Sequence, residues 1–173
     1  REPERERGEP IANLPRMTTL AIPDPSLEAV RTLCLLDPPY QTGPAADHAF
    51  VAAMRAVIDW HRDRCDFYRA LLASRGFTSD CLRDIGDLAQ IPPIHANFFK
   101  THEVTSVPRD QIAVHLTSSG TTGQKSQIFF DAWSIGSAQR MVDACFAHYG
   151  WVTPDEPVNY LLYTYEKIGR AHV

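Results

Sequence analysis

The tightest constraint on this chain is one polar segment, Thr117-Ser118-Ser119-Gly120-Thr121-Thr122-Gly123-Gln124-Lys125-Ser126. Upstream, Ile112, Val114 and Leu116 alternate with Ala113 and His115. Downstream, Gln127-Ile128-Phe129-Phe130 is branched and aromatic, so both flanks read as strands. Between them sit five hydroxyl side chains ahead of Gln124, a sixth at Ser126, two glycines and one lysine. Glycines let backbone N–H groups crowd an anion, hydroxyls add donors, and lysine supplies a point charge. The plainer reading is a Ser/Thr/Gly hairpin turn, which most such loops are.

A nucleotide-hydrolysing phosphate loop of the Walker type needs glycine just before the lysine and again six residues before it, and those places hold Gln124 and Ser119. It also runs from a strand into a helix, whereas the run after Ser126 is strand-like. Strand, loop, strand is therefore the expected local fold.

With 173 residues and 44% hydrophobic side chains, the chain can build one ordinary domain with a core. Net charge is −4, and because Lys167 and Arg170 lie at the far end, the interior is more acidic still. No basic face accumulates, which disfavours a nucleic-acid partner. Cys34, Cys65, Cys81 and Cys145 are scattered without metal-ligand spacing, so zinc is disfavoured and a cytoplasmic protein with reduced thiols is expected. No apolar run approaches the ~20 residues that span a bilayer.

Residues 1–16 alternate Arg, Glu, Pro and Gly and are expected to be a disordered leader, with Met17 as the expected native start. Lys167–Val173 reads as a translated sequencing-library adapter, outside any functional argument. A helix is expected from Pro25 to Leu36, capped by Ser26 and burying Leu27, Val30, Leu33 and Cys34. A single long helix is expected over residues 46–75. Its stripe is Phe50, Met54, Val57, Ile58, Cys65, Tyr68, Leu71 and Leu72, its polar side runs from Arg55 to Arg69, and Gly76 ends it. His61 falls at the edge of that stripe and reads as a packing histidine rather than a ligand.

A short helix is expected over residues 79–89, then an extended crossing at Ile91-Pro92-Pro93-Ile94. Phe98-Phe99-Lys100 should bury an aromatic and leave the lysine wet. Beyond Phe130, Asp131 should cap a helix reaching Tyr149, with Ile135, Ala138, Val142, Cys145, Phe146 and Tyr149 inward and Gly150 closing it. Val158–Tyr165 reads as a buried strand. No internal repeat or long linker interrupts this order.

The Ser-Ser-Gly-Thr-Thr-Gly loop between strands resembles the phosphate loop of adenylate-forming enzymes. Ile91-Pro92-Pro93-Ile94, Phe98-Phe99-Lys100, Lys125-Ser126-Gln127-Ile128, Asp131 and Ser134 narrow the likeness to the acyl-protein synthetases of the LuxE type, relatives of phenylacetate-CoA ligases. The resemblance covers residues 26–166. In the wider superfamily proline precedes the loop lysine and glycine follows it; here Gln124 and Ser126 stand there, so the assignment leans on the Ser, Thr and Gly residues more than on Lys125.

The resemblance implies an α/β fold, the N-terminal part of the large domain of an adenylate-forming enzyme: helical at first, then strand, phosphate loop, strand, helix and a further strand. It implies the first part of a longer ligase, inactive as this segment alone. That enzyme would activate a carboxylic acid, in this family a fatty acid, with ATP and Mg²⁺, and pass the acyl group to a protein cysteine. The cysteine is expected outside this chain, so Cys145 does not inherit the role. ATP would be held by Thr117, Ser118, Ser119, Gly120, Thr121, Thr122, Gly123 and Lys125, and an acyl reductase is the implied protein partner. Transfer to coenzyme A is the alternative within the superfamily, and a noncatalytic interaction module the alternative outside it.

Overall fold

The computed structural model describes residues 21–118 and 125–151. Five helices and a hairpin make up its regular structure: α1 (Glu28–Cys34), α2 (Pro44–Arg64), α3 (Asp66–Ser74), α4 (Phe98–Thr101), β1 (Ile112–Thr117), β2 (Gln127–Asp131) and α5 (Ala132–Tyr149). The order matches the α/β reading, with helices first and then strand, loop, strand and helix. The leader, the tail and the run Val158–Tyr165 lie outside the described residues.

Ser26 does not cap α1, which has no side-chain cap of its own; Asp24 caps the 3-10 turn that leads into it. The Asp24 carboxylate accepts the Ser26 N–H at 2.9 Å, and one 3-10 turn at Pro25–Leu27 leads into α1. Proline suits the first helical position, where its missing N–H is not needed, and this moves the cap to the residue before it.

Residues 46–75 do not form one helix. Cys65 is extended (φ −125°, ψ 107°) and buried, and it separates α2 from α3. The Arg69 guanidinium reaches back to the carbonyls of Arg62 and Asp63 at 3.1 and 3.0 Å, satisfying acceptors left free by the interruption. The expected apolar stripe is buried at Ile58, Cys65 and Leu72 and half-buried at Met54, Val57, Tyr68 and Leu71, with Phe50 as its exception. Val51, Ala53, Ile58 and Trp60 are the buried positions of α2, while Phe50 is 39% exposed. Gly76 ends α3 as expected, with φ 59° and the Phe77 N–H on the Leu72 carbonyl at 3.0 Å.

Val51, Ile58, Leu72, Phe77 and Leu82 form the tight core, flanked by Met54, Tyr68, Leu88 and Ile91. Residues 79–89 contribute to it as two 3-10 turns, Ser79–Cys81 and Ile85–Gln90, instead of a helix. Short acidic side chains compete with a helical ladder here. Asp84 caps the N–H groups of Gly86 and Asp87, and Asp87 accepts from the N–H groups of Arg83 and Asp84. Ile91 is extended (φ −61°, ψ 124°), and residues 92–94 form no helix or strand. In α4, Phe98 is stacked between Phe67 and His102 at 4.3 and 4.0 Å between ring centroids, and Lys100 is half-buried.

β1 and β2 pair antiparallel, with Val114 opposite Phe130, His115 opposite Phe129, Leu116 opposite Ile128 and Thr117 opposite Gln127. Asp131 closes β2 and caps α5, its Oδ1 accepting the Ser134 N–H at 2.7 Å. Gly150 ends α5 at φ 64°. Trp133 and Gly136 are the buried residues of this helix, and Ile135, Ala138, Cys145 and Phe146 are half-buried. Val142 and Tyr149, expected inward, are 46% and 54% exposed. No helix among the described residues is long and apolar enough to cross a membrane.

Candidate functional site

The residues expected to form the phosphate loop lie in sequence between the two strands of the hairpin. Beyond the last strand pair, Thr117 and Gln127, two hydrogen bonds hold the stem together. The Ser118 N–H donates to the Ser126 carbonyl at 3.0 Å, and the Ser126 N–H donates to Ser118 Oγ at 2.9 Å. Ser118 therefore serves the stem with its hydroxyl oxygen, and its hydroxyl proton has no acceptor among the described residues. The structure thus brings Thr117, Ser118 and Lys125 to the tip of the ribbon, all three exposed. Ser119, Gly120, Thr121, Thr122 and Gly123 lie outside the described residues.

Below the hairpin, a cavity of about 460 Å³ opens between α2, the 91–107 connection and the β2–α5 junction. Its walls are mostly apolar, with Leu27, Val57, Ile58, Phe99 and Phe129 among them. That size falls within the range of small-molecule sites. His61 stands on its wall, sharing a 2.7 Å hydrogen bond with Ser106 Oγ and lying edge-on to Trp60 at 5.0 Å. Burial first, and then the nearby Arg64 charge, hold the His61 imidazole below its ordinary pKa. A partnered packing histidine is what the sequence suggested.

Trp60 and Trp133 also line this cavity, and neither stood out in the sequence. Each is 9% exposed, and each indole Nε1 is buried without a hydrogen-bond partner among the described residues. An unpaired buried donor costs about 1–3 kcal/mol. The local signal was available: Trp60 directly precedes His61 on α2, and Trp133 falls in the first turn after the Asp131 cap.

A second cavity of about 630 Å³ lies among α1, α2 and α5, with Cys34, Phe50, Arg140 and Met141 on its walls. Burial raises the Cys34 thiol, opposed by the Arg140 charge. Nearby, the Tyr40 hydroxyl donates to Cys145 Sγ at 3.1 Å, and that contact pushes Tyr40 up to about 12. Cys145 is half-buried and engaged in this pair. Among the described residues, no three His, Cys, Asp or Glu side chains gather as a cation site.

Residues 38–153 match the family model described as "Acyl-protein synthetase, LuxE", a span from before α2 to past α5 that includes the whole loop. No curated protein and no solved structure matches the chain.

Proposed function

The chain belongs to the acyl-protein synthetase (LuxE) family, a family of ligase-type enzymes, and from that premise we propose that it carries the phosphate-gripping loop of an ATP-dependent acid–thiol ligase. In this reading a carboxylate oxygen of the acid attacks the α-phosphorus of ATP. The bond from that phosphorus to the bridging oxygen breaks, pyrophosphate leaves and an acyl-adenylate remains. A cysteine thiolate of a protein then attacks the acyl carbonyl, the carbon–oxygen bond to AMP breaks, and a thioester is formed. The acid is a fatty acid and an acyl reductase is the partner that receives the chain.

The chain's own part is electrostatic. Backbone N–H and hydroxyl donors from Ser118, Ser119, Gly120, Thr121, Thr122 and Gly123 hold the β- and γ-phosphates, with Thr117 at the strand end and Lys125 supplying a positive charge. Mg²⁺ would neutralise phosphate charge; this ion commonly binds through the phosphates with one or two carboxylates, so it needs no dedicated protein cage. The observation that carries this reading is the stem: two strands locked in register by the Ser118–Ser126 pair, with Ser118 and Lys125 exposed at the two ends of a sequence of glycines and hydroxyls.

Acid-dependent exchange of labelled pyrophosphate into ATP tests it, in the protein carrying this sequence. One well-placed donor contributes about 2.7–4 kcal/mol of transition-state stabilisation. Thr121→Ala or Gly123→Val should therefore lower exchange by about two orders of magnitude or more. Exchange unchanged in both variants would remove the loop from the chemistry.

A further inference from the structure

The cavity of about 630 Å³ among α1, α2 and α5 is lined chiefly by apolar side chains, yet it carries two charges. Leu33, Leu36, Phe50 and Met141 belong to its wall, and Phe50 and Met141 are 39% and 60% exposed. Arg140 of α5 and Asp47, in the first turn of α2, are the charged side chains on that wall among the described residues. Both are half-buried. We propose that this cavity is a binding site, separate from the hairpin loop, for a small molecule that carries one anionic and one cationic group on an apolar body, such as an aromatic amino acid. Nothing in it depends on the loop's chemistry, only on the placement of these two charges.

Neither charge is met from among the described residues. Arg55, Arg62 and Arg64 of α2 each pair with a carboxylate. Arg140 makes one long contact, Nε to the Cys34 carbonyl at 3.5 Å, and no described carboxylate lies within 4.0 Å of its guanidinium. Asp47 gains from the dipole at the start of α2, but its carboxylate accepts no hydrogen bond and has no cation within the same distance. The two line one space without pairing with each other. Half-buried charges lose part of their hydration, and a partner restores it. An anionic ligand would satisfy the guanidinium, which takes a carboxylate through two parallel N–H···O bonds, but would bring a like charge towards Asp47. A cationic ligand would do the reverse. A ligand of both signs meets both walls, and its apolar body covers Phe50 and Met141. The volume lies within the range of small-molecule sites.

Four aromatic probes separate the two charges. Phenylalanine and 4-(2-aminoethyl)benzoate carry both, at short and long spacing; hydrocinnamate is phenylalanine without the ammonium, and phenethylamine is phenylalanine without the carboxylate. Each is titrated into the chain labelled with carbon-13 at the methionine methyl groups. Met141 lines this cavity, and Met54, which lines the one beneath the hairpin, is the internal reference. Met141 should shift while Met54 stays in place. The better of the two dipolar probes should bind about fivefold or more tightly than either single-charge probe, the scale of one hydrogen bond. Arg140→Met should erase its advantage over phenethylamine, and Asp47→Asn its advantage over hydrocinnamate. The variants thus fail in opposite directions, whereas a merely structural role would weaken all four probes alike.

Hydrocinnamate or phenethylamine binding as tightly as both dipolar probes would overturn the proposal on the unaltered chain, without needing either variant to fold. So would a shift of Met54 in place of Met141, which would seat the probes beneath the hairpin, or a Met141 resonance that none of the four moves.

Discussion

The two halves of the described chain are built differently. From α1 through α3 and the turns that follow, the helices converge on Val51, Ile58, Leu72, Phe77 and Leu82, with Leu82 fully buried and Leu72 2% exposed. The hairpin and α5 have little of this. Trp133, Gly136 and Asp131 are buried, while Leu116, Ile128, Met141 and Trp151 are 48%, 53%, 60% and 63% exposed. A two-stranded ribbon is at best marginally stable by itself. The loop proposed for nucleotide chemistry therefore joins strands of the half whose shape depends on hydrogen bonds and caps, while the other half depends on packed volume. Elements that must admit and release ligands are commonly drawn from the less stable end of a structure.

Truncating the same kind of side chain in each half should break or sustain that contrast most clearly. Leu82→Ala should cost about 2–5 kcal/mol, because the methyl groups removed leave a cavity in a closed core. Met141→Ala, on the exposed side of α5, should stay within about 0.5 kcal/mol. Urea unfolding of the two variants measures both, and similar losses would mean that α5 is as tightly packed as the helical half. A smaller effect belongs to Asp131→Ala, which removes the α5 cap at a typical cost of about 1 kcal/mol. Amide hydrogen exchange locates it: α5 and β2 amides should lose protection while those around Leu72 keep theirs. Uniform loss across both halves would make the chain one cooperative unit.

What could be read in the sequence follows the range of the interactions involved. The hairpin was legible because Ile112, Val114 and Leu116 alternate locally, and Asp131 and Gly150 mark the ends of α5 by their own backbone chemistry. The break at Cys65 was not, since the apolar stripe points at one core on both sides of it and the compensating Arg69 contacts depend on side-chain reach. Asp24 displaced Ser26 as a cap because Pro25 claims the first helical position. The 79–89 stretch has apolar spacing suited to a helix, yet Asp84 and Asp87 pull the backbone into turns. At the candidate site, the loop residues could be named from composition and likeness alone, and Thr117, Ser118 and Lys125 do meet at the stem. The cavity could not be anticipated, because Trp60 and Trp133 come together only when α2 packs near the β2–α5 junction.

The smallest effect concerns acid rather than volume, and it is present in full near neutral pH. Asp87 is 8% exposed, and the N–H groups of Arg83 and Asp84 donate to its carboxylate. The Arg83 backbone bond, more than any other contact, holds it below the usual carboxylate range; desolvation works against this, and the Asp84 N–H and the Arg83 charge add to the lowering. A carboxyl whose folded pKa lies below its unfolded value stabilises the fold above the unfolded value, about 3.9, and loses that contribution as pH falls through the folded one. In Asp87→Asn the titrating group is gone while its shape remains. The urea midpoints of the two proteins should therefore differ at pH 7 and draw together as the pH is lowered past 4. Midpoints that fall in parallel would show that the turns beneath the helical core are held by packing alone, so that hydrogen-bonded caps would distinguish the hairpin half and not the other.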